Sequence, residues 1–505
     1  MRDVSTRSTS LRARLSLDMT KSLLEDRWTL WIVAAVTILL FVFANLPWHL
    51  DDYDQAKQAF TSFEMIKEGR WFYQQRPTSY EHVATKPPLV GWISAGLFTL
   101  TGSWDMAWRL PSFLAAIAMA ILLFRAATST YGRIAGVIAL SAFGLNLLSP
   151  RLATLVRTDM PLALVIFLIG LLIWRKIQKE EPWKSRDRVC ILALLTAAML
   201  IKGPIVYAFL LPGIGMFEWW RKGQGIPAWC GWWPWVASLG IFLLWVTAGI
   251  LFQPGFFDEV VIREFVARFG ETIHRPQPLY FYLPHLLHKF APWSVLMIAL
   301  AIVDLRCRNW RLRSVFREMS PETFWLLCWS VGGLVVMSLI PSKRVDRIFP
   351  IVPPFCLVLA AQIGNVFANE RLRMHVYRWS AVALLLSILV TGGYTISKVV
   401  SGYRDHRDAL VVFGREVQHE AEAHRWRYEV VSAKDEGLLL YLLRTHFIEA
   451  DRAIAEWNRG DLDALVASRE KAPALMRELQ AAALSQLKSK EQKEEQGSGY
   501  VLITR

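Results

Sequence analysis

Three aspartates and one lysine, between residues 49 and 92, are the residues best suited to chemistry. Asp51, Asp52 and Asp54 follow the first long apolar run, and Lys86 stands in a Thr-Lys-Pro-Pro turn where the chain becomes apolar again. An ionised carboxylate can act as a general base towards a hydroxyl or an amine. A lysine ammonium can bind a phosphate as a compact point charge. Structural uses are equally open, because aspartate caps helix starts and lysine snorkels at membrane borders.

The composition excludes an ordinary soluble enzyme. Of the 505 residues 54% are apolar, and 23 are tryptophan. Repeated apolar runs of membrane-spanning length predict a polytopic membrane protein. The net charge of +14 does not indicate nucleic-acid binding, because lysine and arginine cluster in short loops between apolar runs, as they do in cytoplasmic loops.

The apolar runs predict about eleven membrane spans. Arginines before the first run place the N-terminus in the cytoplasm, and the loop 49–87 is therefore expected outside. The run Leu89–Leu100 is too short to cross easily, and a non-crossing segment there keeps the later basic loops inside. The spans are predicted near 28–48, 108–126, 133–149, 160–175, 189–202, 204–220, 232–252, 290–304, 322–340, 348–367 and 376–398.

The same topology places several unusual ionisable residues on the outer face. Asp159 starts a span, and Pro161 two residues later also fits a simple helix start. Lys202 stands in a similar turn, Lys-Gly-Pro. Like Lys86, it could bind a phosphate or simply snorkel at the membrane border. A basic cluster on the outer face goes against the usual charge bias, which favours an anionic ligand there. The remaining candidates are His274, Arg275, Lys343, Arg344, Asp346 and Arg347.

Residues 401–505 differ in composition from the rest of the chain. They are rich in charge, and short strand-like runs alternate with helical patterns. We expect a small α/β domain here, outside the membrane, after a transmembrane domain formed by residues 1–400. Within the loop 49–87, the segment 55–68 has apolar residues at helical spacing, which predicts an amphipathic helix lying on the membrane surface.

Together these motifs resemble the polyprenyl-phosphate-sugar glycosyltransferases of the GT-C fold, which include protein O-mannosyltransferases and the lipid A aminoarabinose transferases. The likeness covers about residues 28–365 and rests on the order of its motifs. They are D-x-x-x-x-A from Asp54, Glu64-Met65, G-x-W from Gly69, KPP-x-x-x-W from Lys86, RLPS from Arg109, RTDMPL from Arg157, KGP from Lys202, YFYLP from Tyr280 and SKR from Ser342.

The resemblance implies a role for each matching residue. Asp54 matches the catalytic aspartate, because it stands ten residues before Glu64, and Lys86 matches the lysine that contacts the carrier phosphate. Further phosphate contacts would come from Lys202, Arg275, Lys343 and Arg347, with Asp52, Asp159 and His274 as other residues of the cavity. Two positions depart from the pattern: Thr85 replaces a glutamate that helps a histidine to bind a metal, and Ile348 replaces a tyrosine. A divalent metal on His274 therefore stays an open question.

The expected fold is an all-α polytopic membrane bundle of the GT-C type, with about 11–13 transmembrane helices and the small C-terminal α/β domain. The expected function is transfer of a sugar, with inversion, from a polyprenyl-phosphate donor to a lipid, glycan or protein acceptor. Active site and C-terminal domain would face the periplasm from a bacterial inner membrane. A transporter or flippase for the lipid-linked sugar is the alternative, although it would spread charges through the bilayer rather than along one face.

Overall fold

The computed structural model describes residues 26–50, 52–76, 79–83, 85–221, 225–266, 276–367, 370–431, 435–479 and 499–505. Most of these residues are helical. The helices are α1 Arg27–Phe43, α2 Tyr53–Lys67, α3 Leu89–Thr101, α4 Trp104–Tyr131, α5 Arg133–Gly144, α6 Ser149–Ala153, α7 Asp159–Lys179, α8 Ser185–Lys202, α9 Ile205–Arg221, α10 Trp233–Phe252, α11 Tyr282–Lys289, α12 Trp293–Cys307, α13 Leu312–Glu318, α14 Pro321–Leu339, α15 Val352–Phe367, α16 Glu370–Arg404, α17 Ala409–His424, α18 Glu436–Tyr441, α19 Ala450–Arg459 and α20 Ala472–Glu478.

Shorter elements complete the chain. A π-helix covers Phe257–Val266, and 3₁₀ helices cover Leu279–Phe281 and Val345–Ile351. The strands are β1 Gln75–Arg76, β2 Ser79–Val83, β3 Tyr428–Val430, β4 Ala464–Ser468 and β5 Tyr500–Thr504.

Several helices are long and apolar enough to cross a membrane. In the described part of the chain there are six, or seven if the bent pair Leu279–Lys289 and Trp293–Cys307 counts as one span. The six are Trp104–Tyr131, Asp159–Lys179, Trp233–Phe252, Pro321–Leu339, Val345–Asn365 and Leu372–Arg404. Each of the eleven predicted spans overlaps a helix, and the run at residue 89 is the 13-residue helix α3. The predicted number is larger than six or seven because some of these helices, such as Arg27–Phe43 and Arg133–Gly144, are shorter than 18 residues. The chain is therefore an integral membrane protein with a helical bundle, as predicted.

The chain forms two compact units. The first comprises the described residues of 1–44, 111–245 and 265–396, and the second those of 45–110, 246–264 and 397–505. In the second unit the first loop and the C-terminal residues therefore belong to one body.

Glycines allow the closest helix packing in the first unit. Gly213 of α9 and Gly332 of α14 face each other, and a Cβ on Gly332 would lie 2.5 Å from the backbone nitrogen of Gly213. Gly170 of α7 similarly accommodates the ring of Trp329, and its carbonyl accepts a hydrogen bond from Trp325 Nε1 at 3.1 Å. Close backbone approach through small residues is a usual way for membrane helices to associate.

The C-terminal α/β fold is confirmed, with one strand that the sequence pattern did not reveal. β4 lies at the centre of a three-stranded sheet, parallel to β3 and antiparallel to β5. Its residues Ala464–Ala467 are all buried, so the strand lacks the alternation that identifies a half-exposed strand. Trp457 of α19 packs in the core beside this sheet.

The segment predicted as an amphipathic surface helix is the helix α2, but it is not a surface helix. Its eleven residues from Gln55 to Met65 are all buried, including the polar ones. The prediction was wrong about the polar face because α3 and α18 pack against α2 and cover it.

A substitution at Gly213 tests the glycine contact. In Gly213→Ala the new methyl would lie 2.7 Å from the backbone Cα of Trp329, so we expect a destabilisation of about 1–3 kcal/mol through overpacking. The measurement is thermal unfolding of the purified full-length protein in detergent. Gly215→Ala in the same helix meets open space and should leave the unfolding temperature unchanged or raise it; equal losses in both variants would contradict the close contact.

Candidate functional site

The first-loop aspartates lie at the start of α2. Asp52 is the N-cap, and its carboxylate accepts a hydrogen bond from the Asp54 backbone N–H at 3.1 Å. Asp54 lies in the first turn and is half-buried, where the helix dipole favours a negative charge. Asp52 therefore takes the helix-capping role that the sequence had left open among the three aspartates. Asp51 lies outside the described residues.

A buried lysine connects α2 to the turn that carries Lys86. Lys57 Nζ donates a hydrogen bond of 2.6 Å to Thr85 Oγ1, and Lys57 is only 6% exposed. Lys57 comes one helical turn after Asp54, and Thr85 directly precedes Lys86. The two candidate reactive residues therefore stand next to the two ends of one buried hydrogen bond.

Glu64, in the Glu64-Met65 pair of the motif resemblance, fixes the loop after α2. Its carboxylate accepts hydrogen bonds from Arg70 Nη1 at 2.9 Å and from the Gln75 backbone N–H at 2.8 Å. Trp92 of α3 holds the same loop by donating from Nε1 to the Trp71 carbonyl at 2.7 Å. Burial raises the pKa of Glu64 to about 7, although the hydrogen bonds and the charge of Arg70 act in the other direction.

Residues of the C-terminal segment contact this same loop. Thr445 Oγ1 donates to Glu68 at the end of α2, at 2.8 Å. A Cβ on Gly437 of α18 would lie 2.6 Å from the Leu50 carbonyl oxygen, so α18 approaches the first loop closely. Arg415 of α17 forms an ion pair of 2.7 Å with Asp105.

In the first unit, the predicted cations occur beside carboxylates or carbonyls. Lys202, the last residue of α8, forms an ion pair with Asp159, the first residue of α7. The Lys-Gly-Pro sequence ends α8 there, because Gly203 takes a positive φ of 78° and proline cannot continue the helical hydrogen bonds. Asp159 and Lys202 are thus brought together, as two residues of one predicted site.

The Ser-Lys-Arg segment is held by polar contacts of its own. Lys343 Nζ donates to the Gln277 carbonyl at 2.9 Å, and burial lowers the pKa of this lysine. Arg347 Nη1 donates to the Ser342 carbonyl at 2.8 Å. Asp346 is buried and forms an ion pair of 2.8 Å with Arg157.

The remaining predicted residues, His274 and Arg275, lie outside the described residues. Their predicted roles in metal binding and phosphate binding therefore stay predictions.

The described residues do not fit the metal site that the resemblance implies. Thr85 stands where a glutamate ligand is expected, and its hydroxyl accepts a hydrogen bond from the Lys57 ammonium. A positive charge at 2.6 Å from that oxygen repels a divalent cation rather than binding it. Among the residues that the structure describes, no group of three or more histidine, cysteine, aspartate or glutamate side chains could hold a metal ion.

Sequence reasoning missed the polar residues that support the site. Lys57 was not singled out from the predicted surface helix 55–68, and Arg157 appeared only as the first residue of the RTDMPL motif. Their burial and their partners follow from packing between segments far apart in the chain. The signal that could have indicated Lys57 is its i, i+3 spacing from Asp54, which puts both side chains on one side of α2.

A change at Thr85 tests the hydrogen bond to Lys57. Thr85→Val removes the hydroxyl but keeps the shape, and it deprives a buried ammonium of one acceptor. We expect the free energy of unfolding to fall by about 1–3 kcal/mol, measured as thermal unfolding of the full-length protein. Thr85→Ser retains the acceptor and should be markedly less affected; equal effects of the two substitutions would contradict a hydrogen bond that contributes to stability.

The raised pKa of Glu64 predicts a pH dependence of stability. An exposed glutamate ionises near 4.5 and folded Glu64 near 7, so the unfolded chain loses its proton first as the pH rises. The stability contributed by neutral Glu64 is therefore fully present below pH 4.5 and is lost as the pH rises from 4.5 to about 7. The free energy of unfolding should fall by up to about 3 kcal/mol over this interval.

The measurement compares unfolding of wild type and Glu64→Gln between pH 4.5 and 8. Relative to wild type, the glutamine variant should gain stability as the pH rises. The control is Glu416→Gln, which removes an exposed carboxylate and should leave the pH profile unchanged. A wild-type profile parallel to that of Glu64→Gln would contradict the raised pKa.

Comparison with known proteins gives consistent matches. Residues 85–252 match the family model described as dolichyl-phosphate-mannose-protein mannosyltransferase. The undecaprenyl phosphate-alpha-4-amino-4-deoxy-L-arabinose arabinosyl transferase of Shewanella sediminis is 25% identical over 354 residues, which are 68% of this chain and 62% of that protein. The corresponding transferase 1 of Sodalis glossinidius is 27% identical over 324 residues, covering 61% and 54%. These matches span less than two thirds of the relatives' own length.

Solved structures share the fold. The crystal structure of ArnT from Cupriavidus metallidurans bound to undecaprenyl phosphate superposes with a TM-score of 0.65 at 17% identity, covering 94% of this chain and 97% of that one. The oligosaccharyltransferase of Archaeoglobus fulgidus gives a TM-score of 0.53 at 13% identity, covering 91% and 72%. The chain thus has the GT-C fold, and its resemblance to the polyprenyl-phosphate-sugar glycosyltransferases, first seen in its motifs, is confirmed.

Proposed function

We propose that this protein is an inverting glycosyltransferase that moves a sugar from a polyprenyl-phosphate donor to an acceptor outside the cytoplasm. Three things support the proposal: the names of the relatives, the GT-C fold, and the arrangement of Asp54 and Lys86. We further propose that the membrane is a bacterial inner membrane, with the active site and residues 401–505 on the periplasmic side. The acceptor would be a lipid, a glycan or a protein.

The observation that carries the proposal is that Asp52 and Asp54 have different roles in α2. Asp52 accepts the capping hydrogen bond of α2, so this structural task does not fall to Asp54. Asp54 lies in the first turn of a buried helix whose next turn contacts Thr85 through Lys57. A general base needs such a defined position, because proton transfer requires hydrogen-bond reach to the acceptor.

The proposed step balances as a displacement at the anomeric carbon. The acceptor oxygen or nitrogen forms a bond to this carbon, and the bond between the carbon and the phosphate oxygen breaks. The phosphate oxygen keeps the bonding electron pair and leaves on the polyprenyl carrier. The carboxylate of Asp54 takes the proton from the acceptor. Attack from the face opposite the leaving group inverts the configuration.

The cations would stabilise the charge that develops on the leaving phosphate. Fixed positive groups are effective where charge appears in the transition state, because they need no reorganisation. Lys86 is the first of these groups, and its turn is tied to α2 by the hydrogen bond at Thr85. By resemblance, Lys202, Arg275, Lys343 and Arg347 would contribute further contacts, and Asp52, Asp159 and His274 would line the cavity.

The C-terminal segment would influence the choice of acceptor. Residues of this segment contact the first loop through Thr445 and Glu68. We further propose that the chain divides at residue 400 into a transmembrane glycosyltransferase domain and a smaller α/β domain, which supports the catalytic loop.

Replacement of Asp54 tests the proposal directly. Asp54→Asn removes the base but keeps the size of the side chain, so we expect the rate of sugar transfer to fall by about 10²–10⁴-fold with little change in donor binding. The assay follows the loss of polyprenyl-phosphate-sugar and the appearance of free polyprenyl phosphate in membranes that contain the full-length protein.

Glu416→Gln is the control, because it removes one exposed carboxylate outside the proposed site. Transfer by this variant should stay within a few-fold of wild type. Undiminished transfer by Asp54→Asn would overturn its role as the base. Passage of the donor lipid across vesicles without cleavage would instead favour the transporter.

A further inference from the structure

A basic cavity lies between the ends of two membrane-spanning helices, α4 and α7. Its volume is about 550 Å³, within the range of small-molecule binding pockets. All its lining residues belong to the first unit and are well away in sequence from the motifs of the proposed catalytic site. They are Leu122, Phe124, Arg125, Ala126, Thr128, Ser129, Trp174, Arg175, Gln178 and Lys179.

Three cations line this cavity without a carboxylate to neutralise them. In the part of the chain that the structure describes, Arg125, Arg175 and Lys179 have no ion-pair partner, and all three side chains are exposed. The neighbouring Lys176 is different, because it is buried and forms ion pairs with Glu181 at 3.2 Å and Asp187 at 2.7 Å. Glu181 and Asp187 thus compensate Lys176, and the side chains that line the cavity are cationic or uncharged.

Polar side chains lie among these cations. Thr128 and Ser129 line the cavity; the Thr128 hydroxyl is turned towards Gly136, and the Ser129 hydroxyl donates to the Ala126 carbonyl at 3.0 Å. Gln178 Nε2 donates to Thr130 Oγ1 at 2.9 Å, which joins the two helix ends beside the cavity. The cations are therefore the groups of this cavity that are suited to phosphate oxygens.

The ordinary explanation accounts for the charges but not for the cavity. Lysine and arginine gather at the cytoplasmic ends of spans, and helix C-termini favour cations. That tendency does not require three such side chains to surround a recess with an apolar wall. Leu122 and Phe124 supply this wall, on a helix apolar enough to face acyl chains.

We propose that this cavity binds the phosphate of an anionic phospholipid headgroup, with the first part of an acyl chain along Leu122 and Phe124. Arg125, Arg175 and Lys179 bind the phosphate oxygens, as charge-assisted donors do. Basic pockets between membrane helices are a recognised kind of headgroup site. The inference does not depend on the proposed glycosyl transfer.

The experiment measures lipid retained by the full-length protein. The protein is reconstituted in bilayers of phosphatidylcholine with phosphatidylglycerol, extracted in mild detergent and examined by native mass spectrometry. Wild type should retain phosphatidylglycerol in preference to phosphatidylcholine. The variant Arg125→Gln/Arg175→Gln should retain about tenfold less, whereas Arg125→Lys/Arg175→Lys, which keeps both charges, should retain most of it.

The matched control is Arg306→Gln/Arg317→Gln, which removes two exposed arginines from another basic region. It should retain phosphatidylglycerol like wild type; equal loss in the two glutamine variants would overturn a specific site, because the lipid would then respond to net charge alone. A second arm adds millimolar glycerol phosphate or inorganic phosphate during extraction. Complete displacement of the lipid by these ions would contradict the lipid proposal and indicate a soluble phosphate ester instead.

Discussion

The burial of α2 is the constraint on which the proposed catalytic loop depends. Eleven consecutive residues of this helix are buried, and six of them are polar. A buried polar group without a partner costs about 1–3 kcal/mol, so each such side chain has to find its partner within the protein. Lys57 reaches Thr85, Glu64 reaches Arg70 and Gln75, and Ser62 accepts from Trp108 Nε1 at 3.1 Å. These bonds fold the loop around the helix.

The same constraint shapes the charged residues of the first unit. Lys202 with Asp159, and Arg157 with Asp346, are pairs in which each cation has a carboxylate beside it. Pairing is expected there, because an isolated buried charge is far more costly than a pair. From the sequence, Lys202 and Lys343 are predicted to bind an anion. In the fold, their first partners are Asp159 and a backbone carbonyl. The phosphate contacts proposed for these lysines would therefore compete with existing contacts.

Thr85, which replaces a glutamate of the family pattern, distinguishes this chain from relatives in which that glutamate helps to bind a metal. Threonine at position 85 supplies a hydroxyl, and the Lys57 ammonium occupies its hydrogen-bonding position. A lysine brings a fixed single positive charge that needs no ion from solution. In this chain, the side chain next to Lys86 is therefore held by Lys57, a cationic residue of the protein itself. His274 lies outside the described residues.

The sequence by itself determined the membrane class, the approximate positions of the long apolar helices, the GT-C resemblance and the α/β character of the end of the chain. These features follow from hydropathy, helical spacing and motif order, all of which are local or linear properties. Only the tertiary structure decided which aspartate caps α2, which side of that helix is covered, and that β4 is the central strand. It also joined Lys57 to Thr85 and lined the basic cavity with residues of α4 and α7. Such contacts connect segments tens of residues apart, and their energies depend on burial, which spacing along the chain cannot reveal.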